Sequence, residues 1–143
     1  MSAVYRGHWH VVSTLVALDA DVDVFAAAAI GNLPALRSRL QEPGAANAFA
    51  YDGWTPLHLA AFFGHVEAAR MVLDAGGAVS TISRNSLRNT PLHAATAAKH
   101  SHVAILLLER GADPLALDSG GYSPQKIALE NQLHDVLAAI SRF

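Results

Sequence analysis

A chain of 143 residues has the length of one domain, and a composition rich in alanine and leucine supplies the apolar surface for one continuous core. Its formal net charge of −2 gives no general attraction to nucleic acid or to an anionic membrane, and the basic residues are scattered apart from a short cluster at Arg84 and Arg88. Cysteine is absent, which excludes a disulfide scaffold, thiolate metal sites and cysteine nucleophiles, and fits a reducing cytoplasm.

At the N-terminus, Arg6, His8 and His10 stand where a signal peptide needs an unbroken apolar core. The longest apolar stretches, Val24 to Ile30 and Val103 to Leu108, are too short to span a bilayer. A soluble, cytoplasmic protein is therefore expected. The string GHWHVVSTLVALDADVD, from Gly7 to Asp23, matches GHVEAARMVLDAGGAVS, which begins at Gly64. Residues 1–20 thus read as the second half of a repeating unit, with Val4, Trp9, Val11, Val12 and Leu15 forming an apolar end that little first helix covers. Asp19, Asp21 and Asp23 alternate along a linker; calcium needs more oxygen ligands and a turn glycine, so a solvated or capping role is expected.

The next unit, at about 21–51, has Gly31 as the counterpart of Gly64, 33 residues away, and Ala35 to Leu40 as its second helix. The unit at 52–86 is the clearest. Thr55 caps a helix through its hydroxyl, and Pro56 suits the first turn. Ala60 and Ala61 are small enough for a neighbouring helix to approach, and Gly64 ends the helix in the left-handed conformation. Val66, Ala69, Val72 and Leu73 line one face of a second helix, which Gly76 and Gly77 close. Thr55, Pro56, Leu57 and His58 return in the unit at 87–117 as Thr90, Pro91, Leu92 and His93, a shift of 35. The unit at 118–143 keeps only Ser123-Pro124 of this pattern, with the apolar spacing of Leu133 to Ile140. Each helix pair is amphipathic and buries its apolar face only against the next pair, so the units must stack.

The strings DGWTPLHLAAFFGH (Asp52 to His65), NTPLHAA (Asn89 to Ala95) and LLLERGADP (Leu107 to Pro114) resemble ankyrin repeats, closely over residues 21–143 and loosely over 5–20. The resemblance implies an all-α ankyrin-repeat solenoid of stacked antiparallel helix pairs joined by β-hairpin-like fingers, working by protein recognition. Among small ankyrin proteins the chain looks most like bacterial ones. It departs from the family pattern in five places, the first being an N-terminal unit that lacks its hairpin and most of its first helix. Lys99 replaces the preferred glycine, so that turn is expected to be strained or rearranged. The loop from Ser80 to Asn89 is about two residues longer than standard, which predicts a longer finger. Gln125 and Lys126 replace the leucine and histidine, as in a polar capping repeat, and from Asp21 to Gly31 one unit runs into the next without a hairpin.

No chemical site competes with this reading. The resemblance implies that His58 and His93 hydrogen-bond within and between neighbouring loops, and His65 and His100 share an equivalent turn position. His100 with His102, and His8 with His10, make incomplete metal sets without nearby cysteine or carboxylate. Gly76-Gly77 and Gly120-Gly121 read as turns rather than phosphate cradles, and no nucleophile elbow or Walker loop is present. No enzyme, cofactor or metal is expected.

The family's partner-facing positions map onto Tyr51, Asp52 and Trp54 in one finger with Phe62 and Phe63 on its helix. They map next onto Arg84 through Asn89, Arg88 included, with Ala97 and Ala98, and then onto Ser119, Gly120 and Tyr122 with Glu130 and Asn131. The first units add Ala29, Ile30, Tyr5 and Arg6. The centre of this strip is aromatic with arginines beside it, as in interface anchors. The alternative is that Trp54 folds onto the neighbouring hairpin and Phe62 packs against the adjacent helix as framework. A protein-interaction module (adaptor, inhibitor or assembly factor) is the first reading, and a subunit forming a homodimer through its apolar N-terminal end is the second. A metal-dependent hydrolase using paired histidines is a distant third.

Overall fold

The caps set the helices. In the computed structural model, which describes residues 22–142, the helices are α1 (Val24–Ile30), α2 (Leu33–Arg39), α3 (Pro56–Phe63), α4 (Val66–Asp74), α5 (Pro91–Ala97), α6 (Ser101–Glu109), α7 (Pro124–Glu130) and α8 (His134–Arg142). A short 3-10 turn at Ala45–Asn47 precedes the first finger. Asp23, Asn32, Thr55, Thr90 and Ser123 stand at the N-caps, and each side-chain oxygen accepts the N–H three residues on. Asp23 thus has the capping role expected of it. Proline opens α2, α3, α5 and α7, where its missing N–H leaves nothing unpaired.

One helix pair falls in each of the four intervals from residue 21 onwards. Within the stack α1, α3, α5 and α7 form one row, each against the next, and α2, α4, α6 and α8 form a second row behind it. In the first row α1, α3 and α5 are largely apolar, as helices enclosed by neighbours must be, while α7 carries Gln125, Lys126 and Glu130. Ala27, Ala60, Ala95 and Ala128, at corresponding places in successive units, are fully buried and let these helices approach closely. The second row is amphipathic: α4 buries Ala68, Ala69 and Val72 while Glu67, Arg70 and Asp74 face solvent. The result is a single core running the length of the described stack. The all-α repeat architecture read from the sequence is the one observed.

Side chains also tie units together at the second-row end. Asn47 donates from Nδ2 to the carbonyl of Gly76 at 3.0 Å and accepts the N–H of Ala78 at 2.8 Å. The partial unit of residues 1–20, its apolar end, Tyr5, Arg6, Asp19 and Asp21 lie outside the described residues. The same holds for the absent hairpin as far as Asp21. Among the described residues, no helix is long and apolar enough to cross a membrane.

Candidate functional site

Among the described residues, three hairpin-like fingers project from the first row. In the first, Ala50 N–H donates to the Trp54 carbonyl at 2.8 Å around the tip Tyr51-Asp52-Gly53. In the third, Asp118 N–H donates to the Tyr122 carbonyl at 2.9 Å. The middle finger closes from Ser83 N–H to the Asn89 carbonyl at 2.8 Å and holds two more residues, as the longer loop predicts. The fingers are bonded to one another. Arg84 N–H donates to Gly53 O at 2.8 Å, Asn85 Nδ2 to Asp52 O at 3.1 Å, and Ser119 N–H to Leu87 O at 3.0 Å. Gly53 has φ +91°, and a Cβ there would fall 2.3 Å from the Arg84 carbonyl, so this joint requires glycine.

The middle and third fingers are each held at the base by a buried histidine from the preceding unit. His58 Nδ1 lies 2.8 Å from Thr55 Oγ1, and Nε2 lies 2.9 Å from the Asn89 carbonyl in the next unit. A carbonyl only accepts, so Nε2 carries the proton and Nδ1 accepts from the Thr55 hydroxyl. His93 repeats the pattern with Thr90 at 2.8 Å and the Tyr122 carbonyl at 2.9 Å. Burial pushes the pKa of His58 down to about 4, against the partial opposition of its bond to Asn89. Both imidazoles therefore bond within and between neighbouring loops, as the tetrad implies.

At the opposite ends of these helices, His65 and His100 occupy seats made by glycine. A Cβ on Gly31 would lie 2.7 Å from His65 Nδ1, and one on Gly64 would lie 2.6 Å from His100 Nδ1. Burial lowers the pKa of His65, a hydrogen bond to the Ala29 backbone opposing the shift. Lys99, in the glycine position of the next unit, adopts φ +64°, so the expected strain is present. Among the described residues no group of three or more histidines and carboxylates is placed to hold a metal ion.

The strip of partner-facing positions is only partly at the surface. Tyr51 is 79% exposed and Tyr122 41%. Arg84 and Arg88 are exposed, and Asp52 is half-buried with Oδ1 accepting Trp54 N–H at 3.3 Å. Trp54 requires correction. It is 3% exposed, with its ring 5.6 Å from His58 and edge-on to Phe62 at 5.4 Å, because the indole covers the capping histidine below it. Phe62 and Phe63 are half-buried and edge-to-face with each other, each keeping part of a ring in solvent. Ala29 is buried and Ile30 half-buried. Leu87, within the predicted range Arg84 to Asn89, is exposed, and sequence reasoning missed Ile82, Leu115 and Leu117, all large, apolar and exposed on or beside the fingers.

A family model for ankyrin repeats matches residues 24–118 as three copies. A probable E3 ubiquitin-protein ligase, XBOS31, from rice is 37% identical over 101 residues, covering 69% of this chain and 22% of that protein. Human B-cell lymphoma 3 protein is 37% identical over 92 residues, 62% of this chain and 20% of the relative. Human ankyrin repeat and SOCS box protein 3 is 33% identical over 91 residues, 63% and 18% respectively. The chain spans about a fifth of the length of these curated relatives. They are plant and animal proteins, and the expected likeness to bacterial ones finds no support in them.

Proposed function

The chain belongs to the ankyrin-repeat family, and we propose that it is a protein-interaction module, an adaptor, inhibitor or assembly factor, whose fingers and adjoining first-row helices hold a partner. Ankyrin repeats are generally protein-binding modules. The observation that carries the reading here is the line of exposed side chains on a backbone fixed by finger-to-finger bonds: Tyr51, then Arg84 and Leu87, then Tyr122. Aromatic and arginine side chains on a preorganised surface dominate interface energies. Burying one large apolar side chain contributes roughly 1.5–3 kcal/mol, so the two tyrosines and Leu87 can anchor a partner.

Binding rather than catalysis is part of the proposal. His58 and His93 spend both ring nitrogens on the framework, which leaves neither for a reacting proton. A cytoplasmic setting belongs to it too, supported by a sequence without cysteine. The test is affinity capture from native lysate, comparing the wild-type chain with Tyr51→Ala/Tyr122→Ala. The reading predicts specific proteins retained by the first and lost from the second. Identical captures from both, or none from the wild type, would count against it.

A further inference from the structure

The middle finger differs from its neighbours in charge as well as length. From Ser80 to Thr90 the chain carries two arginines and no carboxylate, inside a protein whose net charge is −2. Arg39, Arg70 and Arg110 each lie against a carboxylate, at 3.2, 3.6 and 3.0 Å. Arg84 and Arg88 have no such partner among the described residues. The guanidinium carbon of Arg84 instead lies over the Phe49 ring, 3.9 Å from its centroid, a cation–π contact made by a side chain that remains exposed. On the adjoining tips the carboxylates turn inwards: Asp52 accepts Trp54 N–H, and Asp118 accepts the N–H groups of Gly120 and Tyr122.

The backbone beneath these arginines is held in one shape. Asn85 Oδ1 accepts from the Ser83 hydroxyl at 2.8 Å, Leu87 N–H at 3.0 Å and Arg88 N–H at 3.4 Å. Ser83 Oγ in turn accepts Asn89 N–H at 3.0 Å. Arg88 sits at φ +47°, a conformation that a non-glycine residue keeps only where its surroundings determine it. Between the two arginines stands Leu87, 46% exposed, with Ile82 exposed on the flank of the same finger.

Resting on the module reading above, we infer that the middle finger is the specificity element, and that it takes an acidic segment of a partner protein with carboxylates flanking an apolar side chain. Two guanidinium groups around a leucine match that pattern, the planar fork of Arg84 pairing bidentately with a carboxylate. Rigid presentation reduces the ordering cost of binding. Nucleic acid is the less favoured occupant, because the patch is interrupted by Leu87 and no basic stripe extends it.

Selection of short random peptides displayed on phage against the full chain tests this, followed by fluorescence anisotropy on the enriched peptides. The expected winners combine aspartate or glutamate with a large apolar residue. They bind Arg84→Glu/Arg88→Glu at least about tenfold more weakly, lose affinity as salt rises, and bind Leu87→Ser several-fold more weakly. Thermal melting of each variant, compared with wild type, establishes that the fold is kept, and Arg84→Gln/Arg88→Gln replaces the charge reversal if it is not. Neutral or basic winners, binding indifferent to charge, no enrichment, or equal affinity for oligothymidylate would overturn the inference. Peptides lost instead from Tyr51→Ala/Tyr122→Ala would overturn it while leaving the module reading intact. Only an empty lysate capture, or one unchanged in that double variant, reaches the reading itself.

Discussion

The imidazole of His58 joins two units: its Nε2–H donates to the carbonyl of Asn89, 2.9 Å away and thirty-one residues along the chain, while its Nδ1 is bound to Thr55. Protonation would force Nδ1 to donate where it now accepts, in a site closed to water. The folded pKa near 4 lies below the ordinary value of 6.5, so between those limits the unfolded chain binds a proton that the folded chain refuses. Stability is therefore whole above about pH 6.5 and declines as pH falls toward 4, by on the order of 3 kcal/mol for this residue. Urea unfolding midpoints measured across that range give the slope. His58→Gln, which cannot titrate, gives a shallower slope, and equal slopes would remove His58 as the cause.

Trp54→Ala acts on folding first. Its side chain is buried over His58 and against Phe62, so truncation opens a cavity and costs about 3–5 kcal/mol. Against a total stability of roughly 5–15 kcal/mol this leaves a marginal domain. Tyr51→Ala removes an exposed ring and shifts stability by less than about 0.5 kcal/mol. Chemical denaturation of the two variants separates a framework aromatic from a surface one. Equal losses would mean that burial does not distinguish them.

That contrast also marks how far the sequence could be read. The repeated Thr-Pro-Leu-His tetrad predicted caps and first-row helices, because each follows from local hydrogen-bond chemistry at fixed spacing, whereas the framework use of both histidines was implied by the resemblance to ankyrin repeats. The direction of Trp54 was not local. In the other units its position holds Asn89 and Tyr122, one buried and one exposed, and only the assembled neighbours decide. Gly31 and Gly64 were legible as left-handed helix ends, but their second role as seats for His65 and His100 depends on the stacking register. The extension of the middle finger could be counted from spacing. The Asn85 bonds that shape it required coordinates.

Gly64→Ala separates the two roles of that glycine. Alanine at φ +78° costs about 1–2 kcal/mol, and its Cβ also meets His100 Nδ1 at 2.6 Å. The variant is expected to lose about 2–3 kcal/mol. In a His100→Ala background the steric part disappears and only the backbone part remains, so the double variant loses less stability than the sum of the two single variants. Strict additivity would mean that the imidazole moves aside freely.

Lys99→Gly tests the corresponding turn of the next unit from the other direction. Lys99 occupies the corresponding turn at φ +64°, strained for any residue with a Cβ. Glycine relieves that strain, although it also gives the unfolded chain more freedom, and the net expected gain is about 0.5–1 kcal/mol. The urea midpoint should rise. A fall would show that the lysine side chain contributes more than its backbone costs.

The alanine column sets the closest approach of the first-row helices, which makes it the place where added volume is least tolerated. Ala95 is fully buried on α5, with α3 on one side and α7 on the other, so a larger side chain has no direction in which to relax. Ala95→Leu inserts three carbon atoms between packed helices and is expected to cost at least about 1–3 kcal/mol through displaced backbone. Ala97, two residues on in the same helix, is exposed. Ala97→Leu has nearly the same helix propensity and should stay within about 0.5 kcal/mol of wild type. Because the helix and the chemical change are the same, a difference in unfolding free energy between the two variants reports on packing alone. Should Ala95→Leu prove as harmless as Ala97→Leu, the helices are not held at contact distance by that column.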